Sequence, residues 1–392
     1  MSDLHADPVV SPHSISLQVY DAVIAGGGPA GCAAAIALAR TGRRVLLAHA
    51  GGSLARVGEG LPAQSRSLLR DCGMLDLMAE DGHRPSFGTL SAWGAEELHA
   101  QDTLFQIHGH GWQLDRFRFD QRLRMIAQSA GVEVHDLARV KLVRPADVGK
   151  VDEPLHELRL ESVTGESRAL RARWVMDATG RSSSLAQAFG ARRVRHDALV
   201  AFHLRLPAAP EEQDKEASTL VEAVESGWWY SALLPSGERM VVYQTDGDLI
   251  DRSAMLSTEG FCARLGQTRH IRERARRHPG VPATPPRGAD ASSCVLEPAA
   301  GQRWLAVGDA AVSFDPLSSK GISNALYTGQ AAARAILADE AGDGDATARY
   351  TRHLRQIFDA YLGQLTLCYQ QEQRWPGSPL WQRRHGMKHP PN

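Results

Sequence analysis

Lysine is almost missing from this chain. Of 44 basic residues only five are lysines, at positions 141, 150, 215, 320 and 388, so a lysine inside a motif stands out. Cysteine is scarce and badly spaced for pairing. Cys32, Cys72, Cys262, Cys294 and Cys368 are odd in number and far apart, which argues against a disulfide framework and against a CxxC metal site; no metal is expected. Charge of one sign is lacking too. The formal net charge of −1 gives no basic field for nucleic acid or an acidic membrane surface. Residues 1–18 carry no apolar run and read as a flexible tail rather than a signal peptide. The apolar stretch from Tyr20 to Ala39 is interrupted by glycines at 26–28, so it is no membrane span. A soluble, cytoplasmic protein is expected, with no internal repeat.

What is present is a globular chain of 392 residues, 43% hydrophobic and 23% charged, long enough for two domains. Tyr20–Ala25 reads as a buried strand, Pro29–Arg40 as an alanine-rich helix and Arg44–Ala48 as a second strand. That opening predicts a parallel α/β sheet. Helices are expected over 62–80 and Phe117–Ser129, the latter stopped by Gly131. Residues 86–108 read as strands, 132–134 as a poor strand, and 156–162 with 168–176 as a hairpin around Thr164-Gly165. Residues 197–206 and 228–246 alternate like strands of a different, antiparallel sheet. Loops are expected over 207–217 and 277–290, and helix over 257–277. Trp304–Val307 is again a buried strand, followed by a helix from Gly321 to Asp339 and a mainly helical end. Parallel-sheet signals thus recur three times with antiparallel signals between them, so the first domain is expected to be discontinuous. It takes in 19–82, 112–190 and 292–340. A substrate domain takes in 83–111 and 191–291, and 341–392 forms a C-terminal helical segment.

Gly26-Gly27-Gly28-Pro29-Ala30-Gly31 matches G-x-G-x-x-G between a strand and a helix, the context that makes this pattern specific for a dinucleotide. Gly26 permits the turn, Gly28 the approach of a pyrophosphate, and Gly31 close helix–strand packing. Pro29 and Ala30 open a helix whose free N–H groups suit phosphate. The second strand ends on His49, where an acidic ribose ligand is usual. An imidazole can bond a hydroxyl there, or His49 is a surface residue without a role.

Three later motifs decide the nucleotide. Leu114-Asp115-Arg116 precedes a helix carrying Asp120 and Leu123. Asp177-Ala178-Thr179-Gly180-Arg181 ends a strand. Val307-Gly308-Asp309-Ala310-Ala311 leads to Asp315-Pro316-Leu317-Ser318-Ser319-Lys320-Gly321-Ile322. In this order they resemble the FAD-dependent monooxygenases and halogenases with a glutathione-reductase-like (Rossmann-type) nucleotide fold. The resemblance implies FAD, with Arg116 beside it, Asp309 on a ribityl hydroxyl and Pro316 bending the chain near the ring. Ser319, Gly321 and Ile322 then sit at a helix start that stabilises negative charge at flavin N1/O2.

Arg56-Val57-Gly58-Glu59-Gly60-Leu61-Pro62 resembles a segment of the tryptophan-halogenase-like superfamily, and Gly227-Trp228-Trp229-Tyr230 with Leu234-Pro235 resembles its central strand without the W-x-W-x-I-P signature. Arg374-Trp375-Pro376 and Trp381-Gln382-Arg383-Arg384 resemble the subgroup that hydroxylates tryptophan in partner proteins during tryptophylquinone biogenesis. Halogenases of this kind need a lysine in the first hundred or so residues and a glutamate in the flavin loop. Here no lysine precedes Lys141, and Ser318 stands in the glutamate's place. The resemblance therefore implies a monooxygenase hydroxylating an electron-rich aromatic ring, indole or tryptophan, free or within a peptide or protein, through a flavin C4a-hydroperoxide. Candidate catalytic groups are Glu59, Lys320, Trp229 and His110, with His108, Trp112, Trp228 and Tyr230 as further pocket groups. Glu59 is a base or a cap for the helix near 62; His108 and His110 are pocket groups or strand residues facing water. Lys320 is a charge near the flavin pyrimidine or a solvated lysine at a helix start. Reducing equivalents come from NAD(P)H directly or through a separate flavin reductase, since no second nucleotide fingerprint is visible. A flavin-dependent halogenase, a geranylgeranyl-reductase-type flavin reductase or dehydrogenase, and a flavin-bearing chaperone using its tryptophan- and arginine-rich end as a partner surface remain as alternatives.

Overall fold

In a computed structural model the described residues are 18–52, 58–102, 109–147, 155–210 and 214–386. Most of the tail expected at 1–18, together with Arg56, Val57 and His108, lies outside them.

The expected parallel sheet is present. Its strands run in the order Ala300–Gly301, Trp304–Ala306, Ser167–Asp177, Gln18–Ala25, Val45–His49 and Glu133–Asp136. All neighbours are parallel except the short pair at the 300–301 edge. The strands are near-continuous apolar runs because helices cover them. Helix Pro29–Ala39 has nine of its 11 residues buried, which explains a sequence of small side chains with no polar face. Its neighbour is helix Gly321–Glu340. A Cβ on Gly329 would stand 2.2 Å from the Ala30 carbonyl oxygen, so only glycine allows that helix crossing.

The hairpin expected at 156–176 gains a third antiparallel strand, Ala138–Arg144, in which Ala138, Val140 and Leu142 alternate with Arg139 and Lys141. The helix expected over 62–80 breaks into Arg66–Cys72 and Leu77–Glu80 because Gly73 ends the first piece at φ +77°. The helical stretch 257–277 is likewise divided between Thr258–Leu265 and His270–Ala275.

The second sheet has seven strands: Arg287–Asp290, Leu199–Leu206, Arg239–Asp246, Gly227–Leu233, Thr219–Val224, Gly88–Ala92 and His99–Asp102. Every pair is antiparallel except Thr219–Val224 with Gly88–Ala92. Part of the loop expected over 277–290 is thus an edge strand. One face packs under helices Thr258–Leu265 and His270–Ala275 through Phe202, Leu204, Trp229, Tyr243, Phe261 and Ile271. The other face turns toward the parallel sheet.

The C-terminal end is a clamp rather than a free partner surface. Helix Ala346–Gln370 leads to helix Pro379–His385, which closes against the second sheet. Trp381 is fully buried; its ring meets Trp93 at 5.4 Å and its Nε1 donates to the Val224 carbonyl at 3.0 Å. Arg383 pairs with Asp246 and Asp248, Arg384 with Asp246, and Arg374 with Glu372. Of these charges Asp246, Arg384 and Glu372 are buried, and buried charges need their partners. Replacing Trp381 with alanine is expected to cost about 3–5 kcal/mol of stability, read from chemical denaturation; a loss below about 1 kcal/mol would contradict the clamp.

Candidate active site

The glycine loop explains its own sequence. Gly26 sits at φ +116°, and a Cβ there would lie 2.1 Å from the Ala178 carbonyl oxygen. A Cβ on Gly31 would lie 1.9 Å from the Gly26 carbonyl oxygen. Gly28 forms the N-cap of helix Pro29–Ala39 without any side-chain cap. The first-turn N–H groups are therefore left for something else, the arrangement that receives a phosphate.

The second motif holds the third in place. Asp177, 1% exposed, accepts from the Thr179 N–H and hydroxyl and from the Ala186 N–H, at 2.6–2.8 Å. Arg181 then donates to the Ser292 and Phe314 carbonyls at 2.6 and 3.0 Å and lies 3.6 Å from the Asp309 carboxylate. Arg116 donates to the Gly58 carbonyl at 2.9 Å and pairs with Asp120 at 3.3 Å. Pro316 begins a short turn capped by Asp315, whose Oδ1 accepts from the Leu317 N–H at 2.8 Å. Ser319 takes φ +50°. Helix Gly321–Glu340 starts with no side-chain cap. Lys320 precedes it, exposed, with Nζ donating to Gln364 at 2.8 Å.

These groups border one cleft of about 1250 Å³. Its lining includes every cofactor-binding candidate except Gly31: Gly26, Gly28, Pro29 and Ala30; His49; Arg116; Asp309; Pro316, Ser319, Gly321 and Ile322. Gly31 lies just behind, under the turn. At one end the cleft runs past His49 to Arg139 and Lys141, residues that the sequence reading missed. At the other end it reaches the inner face of the seven-stranded sheet at Ala201, His203, Tyr230, Val242 and Gln244. A single drug-sized ligand needs about 300–1,000 Å³, so the volume suits a dinucleotide with space beyond it.

The catalytic candidates scatter. Lys320 borders the cleft. Trp229 does not: adjacent strand residues face opposite ways, so Tyr230 turns to the cleft while Trp229 packs against Tyr243 at 4.9 Å and Phe261 at 5.4 Å. The expectation that Trp229 borders the site is thus not met, and Tyr230, a further pocket group, lines the cleft instead. Trp228 shares the face of Tyr230 but sits deeper, 1% exposed. His110 also lies away from the described lining, its ring between Phe87 at 5.7 Å and Trp112 at 5.3 Å. Trp112 in turn lies beneath the Arg66 guanidinium.

Glu59 is 1% exposed; its neighbours Gly58 and Gly60 line the cleft, and Glu59 itself sits behind them. It caps no helix. Its Oε2 accepts from the Gly58 N–H at 3.0 Å, and its Oε1 is buried without a partner. Burial pushes its pKa up, against the pull of Arg116 and Arg205. Asp315, also 1% exposed, is raised to about 6 by burial and by the charge of Asp197. Its Oδ2 accepts from the Tyr369 hydroxyl at 2.7 Å, and that hydroxyl accepts from Trp228 Nε1 at 3.1 Å. The Asp315 N–H donates to the Tyr361 hydroxyl at 2.7 Å. One hydrogen-bonded line thus joins the second sheet, the C-terminal helix and the loop at Pro316. Sequence reading had no signal for it, because its members are 141 and 54 residues apart.

Comparison with known proteins agrees with this geometry. A family model described as tryptophan halogenase matches residues 89–392. The chain is 32% identical over 382 residues to a putative FAD-dependent oxidoreductase, LodB, of Marinomonas mediterranea, covering 94% of this chain and 98% of that one. Among solved structures it is similar to the myxobacterial chondrochloren halogenase CndH (TM-score 0.81, 23% identity, 95% and 87% covered). It is also similar to the peptidyl tryptophan dihydroxylase QhpG, essential for tryptophylquinone cofactor biogenesis (TM-score 0.76, 28% identity, 94% and 79% covered).

Tyr369→Phe is expected to leave Trp228 Nε1 and Asp315 Oδ2 unpaired, at about 1–3 kcal/mol for each buried group. Measured by denaturation, its cost should not add to that of Trp228→Phe, since both break one interaction. Simple additivity would mean that the two do not communicate.

Proposed function

The chain belongs to the tryptophan halogenase family of FAD-dependent oxidoreductases, and from that membership we propose that it is a monooxygenase hydroxylating an electron-rich aromatic ring, indole or tryptophan, presented free or within a peptide or protein. The observation that carries the reading is the single cleft that joins the glycine loop to an inner sheet face lined by Tyr230, Val242 and His203. Bound there, FAD supplies the oxygen-activating chemistry. Reducing equivalents come from NAD(P)H, directly or through a separate flavin reductase.

The chain's own groups have separable tasks in this reading. The N-terminus of helix Pro29–Ala39 holds the pyrophosphate, with His49 near the adenosine ribose and Asp309 at the ribityl chain. The N–H groups of Gly321 and Ile322 face the pyrimidine edge, where a helix N-terminus favours negative charge. Lys320 adds a positive charge at the same place. Pro316 and Ser319 fix the loop that carries these donors, and Arg116 anchors the segment holding Glu59. Glu59 holds a proton at its unpaired Oε1 and releases or takes it when a polar partner enters. The sheet face and the clamp keep water away from the reacting ring.

Halogenation is the second reading, and the family model and the CndH likeness favour it at least as strongly. Two features of the sequence favour hydroxylation: no lysine precedes Lys141, and Ser318 stands where the halogenase loop has glutamate. QhpG, a tryptophan dihydroxylase, supports the same choice.

The test is rapid mixing of the reduced holoenzyme with oxygen. A transient absorbance band distinct from oxidised and reduced flavin is expected, with decay hastened by a tryptophan-containing peptide. One-step reoxidation unaffected by any aromatic ligand would move the assignment to the reductase class.

Glu59→Gln separates function from folding. Burial raises the Glu59 pKa, so its contribution to stability is fully present below the unfolded carboxyl value and is lost as pH rises through the native one. The neutral isostere escapes that loss. The variant should therefore gain thermal stability relative to wild type as pH increases, while turnover falls about 10²-fold or more. Unchanged turnover would remove Glu59 from the chemistry.

A further inference from the structure

A polar group on the sheet face of the cleft has no hydrogen-bond partner among the described residues. His203 lies on strand Leu199–Leu206, 6% exposed, and lines the cleft. Register places Tyr230, Val242, His203 and Arg287 in one row across four strands, with Gln244 and Ala201 paired in the next. Paired residues point to the same face, so these side chains form a wall. Most of it is apolar: Leu199, Ala201, Met240, Val242 and Ala291 pack as a cluster with Tyr230.

The other polar members are engaged. Tyr230 points its hydroxyl toward Gln113, at 3.5 Å. The Gln244 amide nitrogen, correctly oriented, donates to the Trp228 and Val242 carbonyls at 2.9 and 3.1 Å. No described residue hydrogen-bonds either ring nitrogen of His203. The buried atoms left unpaired and shut off from solvent include Glu59 Oε1 and Arg205 Nε but neither His203 nitrogen. The polar edge of the imidazole therefore opens into the cleft.

We propose that His203 accepts a hydrogen bond from the N–H or O–H of the aromatic substrate, and by that contact sets which ring carbon faces the flavin. This rests on the aromatic-substrate reading above and names how that site tells its ligands apart. The charge state fits. Burial, with Arg205 and Arg287 nearby, holds the His203 pKa down to about 4, so at neutral pH the ring is uncharged and offers one acceptor and one donor. An unpaired acceptor on an apolar wall discriminates strongly, because a ligand without a donor leaves it desolvated and unsatisfied. Indole, with one N–H on a flat apolar body, matches a wall with one acceptor. A 1-methylindole keeps the body and lacks the donor.

The experiment titrates FAD-loaded enzyme with N-acetyltryptophanamide and with its 1-methylindole counterpart, following the flavin absorbance change. Wild type is expected to bind the N–H form about tenfold more tightly, the worth of one hydrogen bond. In His203→Phe the preference should fall to near unity with 1-methyl binding kept, and His203→Gln, which restores an acceptor, should recover part of it. In turnover the phenylalanine variant should also spread oxygenation over more ring positions. Equal flavin content and unchanged circular dichroism guard against misfolding. An unchanged preference in both variants overturns the proposal and leaves the aromatic reading standing. A wild-type flavin that responds to neither compound overturns the aromatic reading, and this proposal with it.

Discussion

The site depends on one buried carboxylate. Asp315 stands where three parts of the chain meet: the loop carrying Pro316, the C-terminal helix through Tyr361 and Tyr369, and the second sheet through Trp228. Removing it from water raises its pKa, and the two hydrogen bonds its carboxylate accepts, from the Leu317 N–H and the Tyr369 hydroxyl, limit that cost. A buried polar network is stable only when each member is satisfied, so this one admits a single arrangement of loop, helix and sheet. The cleft takes its shape from that arrangement. The loop forms one wall, the sheet face the other, and the clamp made by Trp381 and Arg384 braces the second sheet at Val224 and Asp246.

Local rules made much of this legible in advance. The glycine loop, the strand–helix–strand opening and the recurring parallel strands follow from backbone freedom and apolar runs, and the structure reproduces them nearly residue by residue. Asp177 and Arg181 were recognisable as a motif, although their task became clear only with the contacts: the aspartate closes its own turn, and the arginine fastens the Asp309 segment. Strand Arg287–Asp290 carries arginine, glycine and aspartate, and it is a strand because a neighbour's free edge pairs with it, a tertiary effect that outweighs propensity.

The substrate side was least legible. Trp229 stood out in the sequence by its size, yet strand alternation turns it to the far face and gives the cleft Tyr230. His203, in an ordinary run of Leu199–Leu206, presents an imidazole edge to the cleft with no hydrogen bond from a described residue. Nothing in the periodicity separates a histidine facing a ligand from one facing a core; sheet order and register do. The C-terminal tryptophans and arginines looked like a binding surface for the same reason. Their partners, among them Val224, Asp246 and Asp248, lie more than a hundred residues away.

The central claim is that this cleft directs activated oxygen onto an aromatic ring held against the second sheet. It is tested most directly in a single turnover of the reduced, FAD-loaded enzyme with heavy-isotope oxygen, a tryptophan-containing peptide and bromide together, followed by mass analysis of the peptide. The account predicts incorporation of the heavy oxygen into the indole and no bromine. Bromination of the ring, or an unmodified peptide after complete flavin reoxidation, would contradict it.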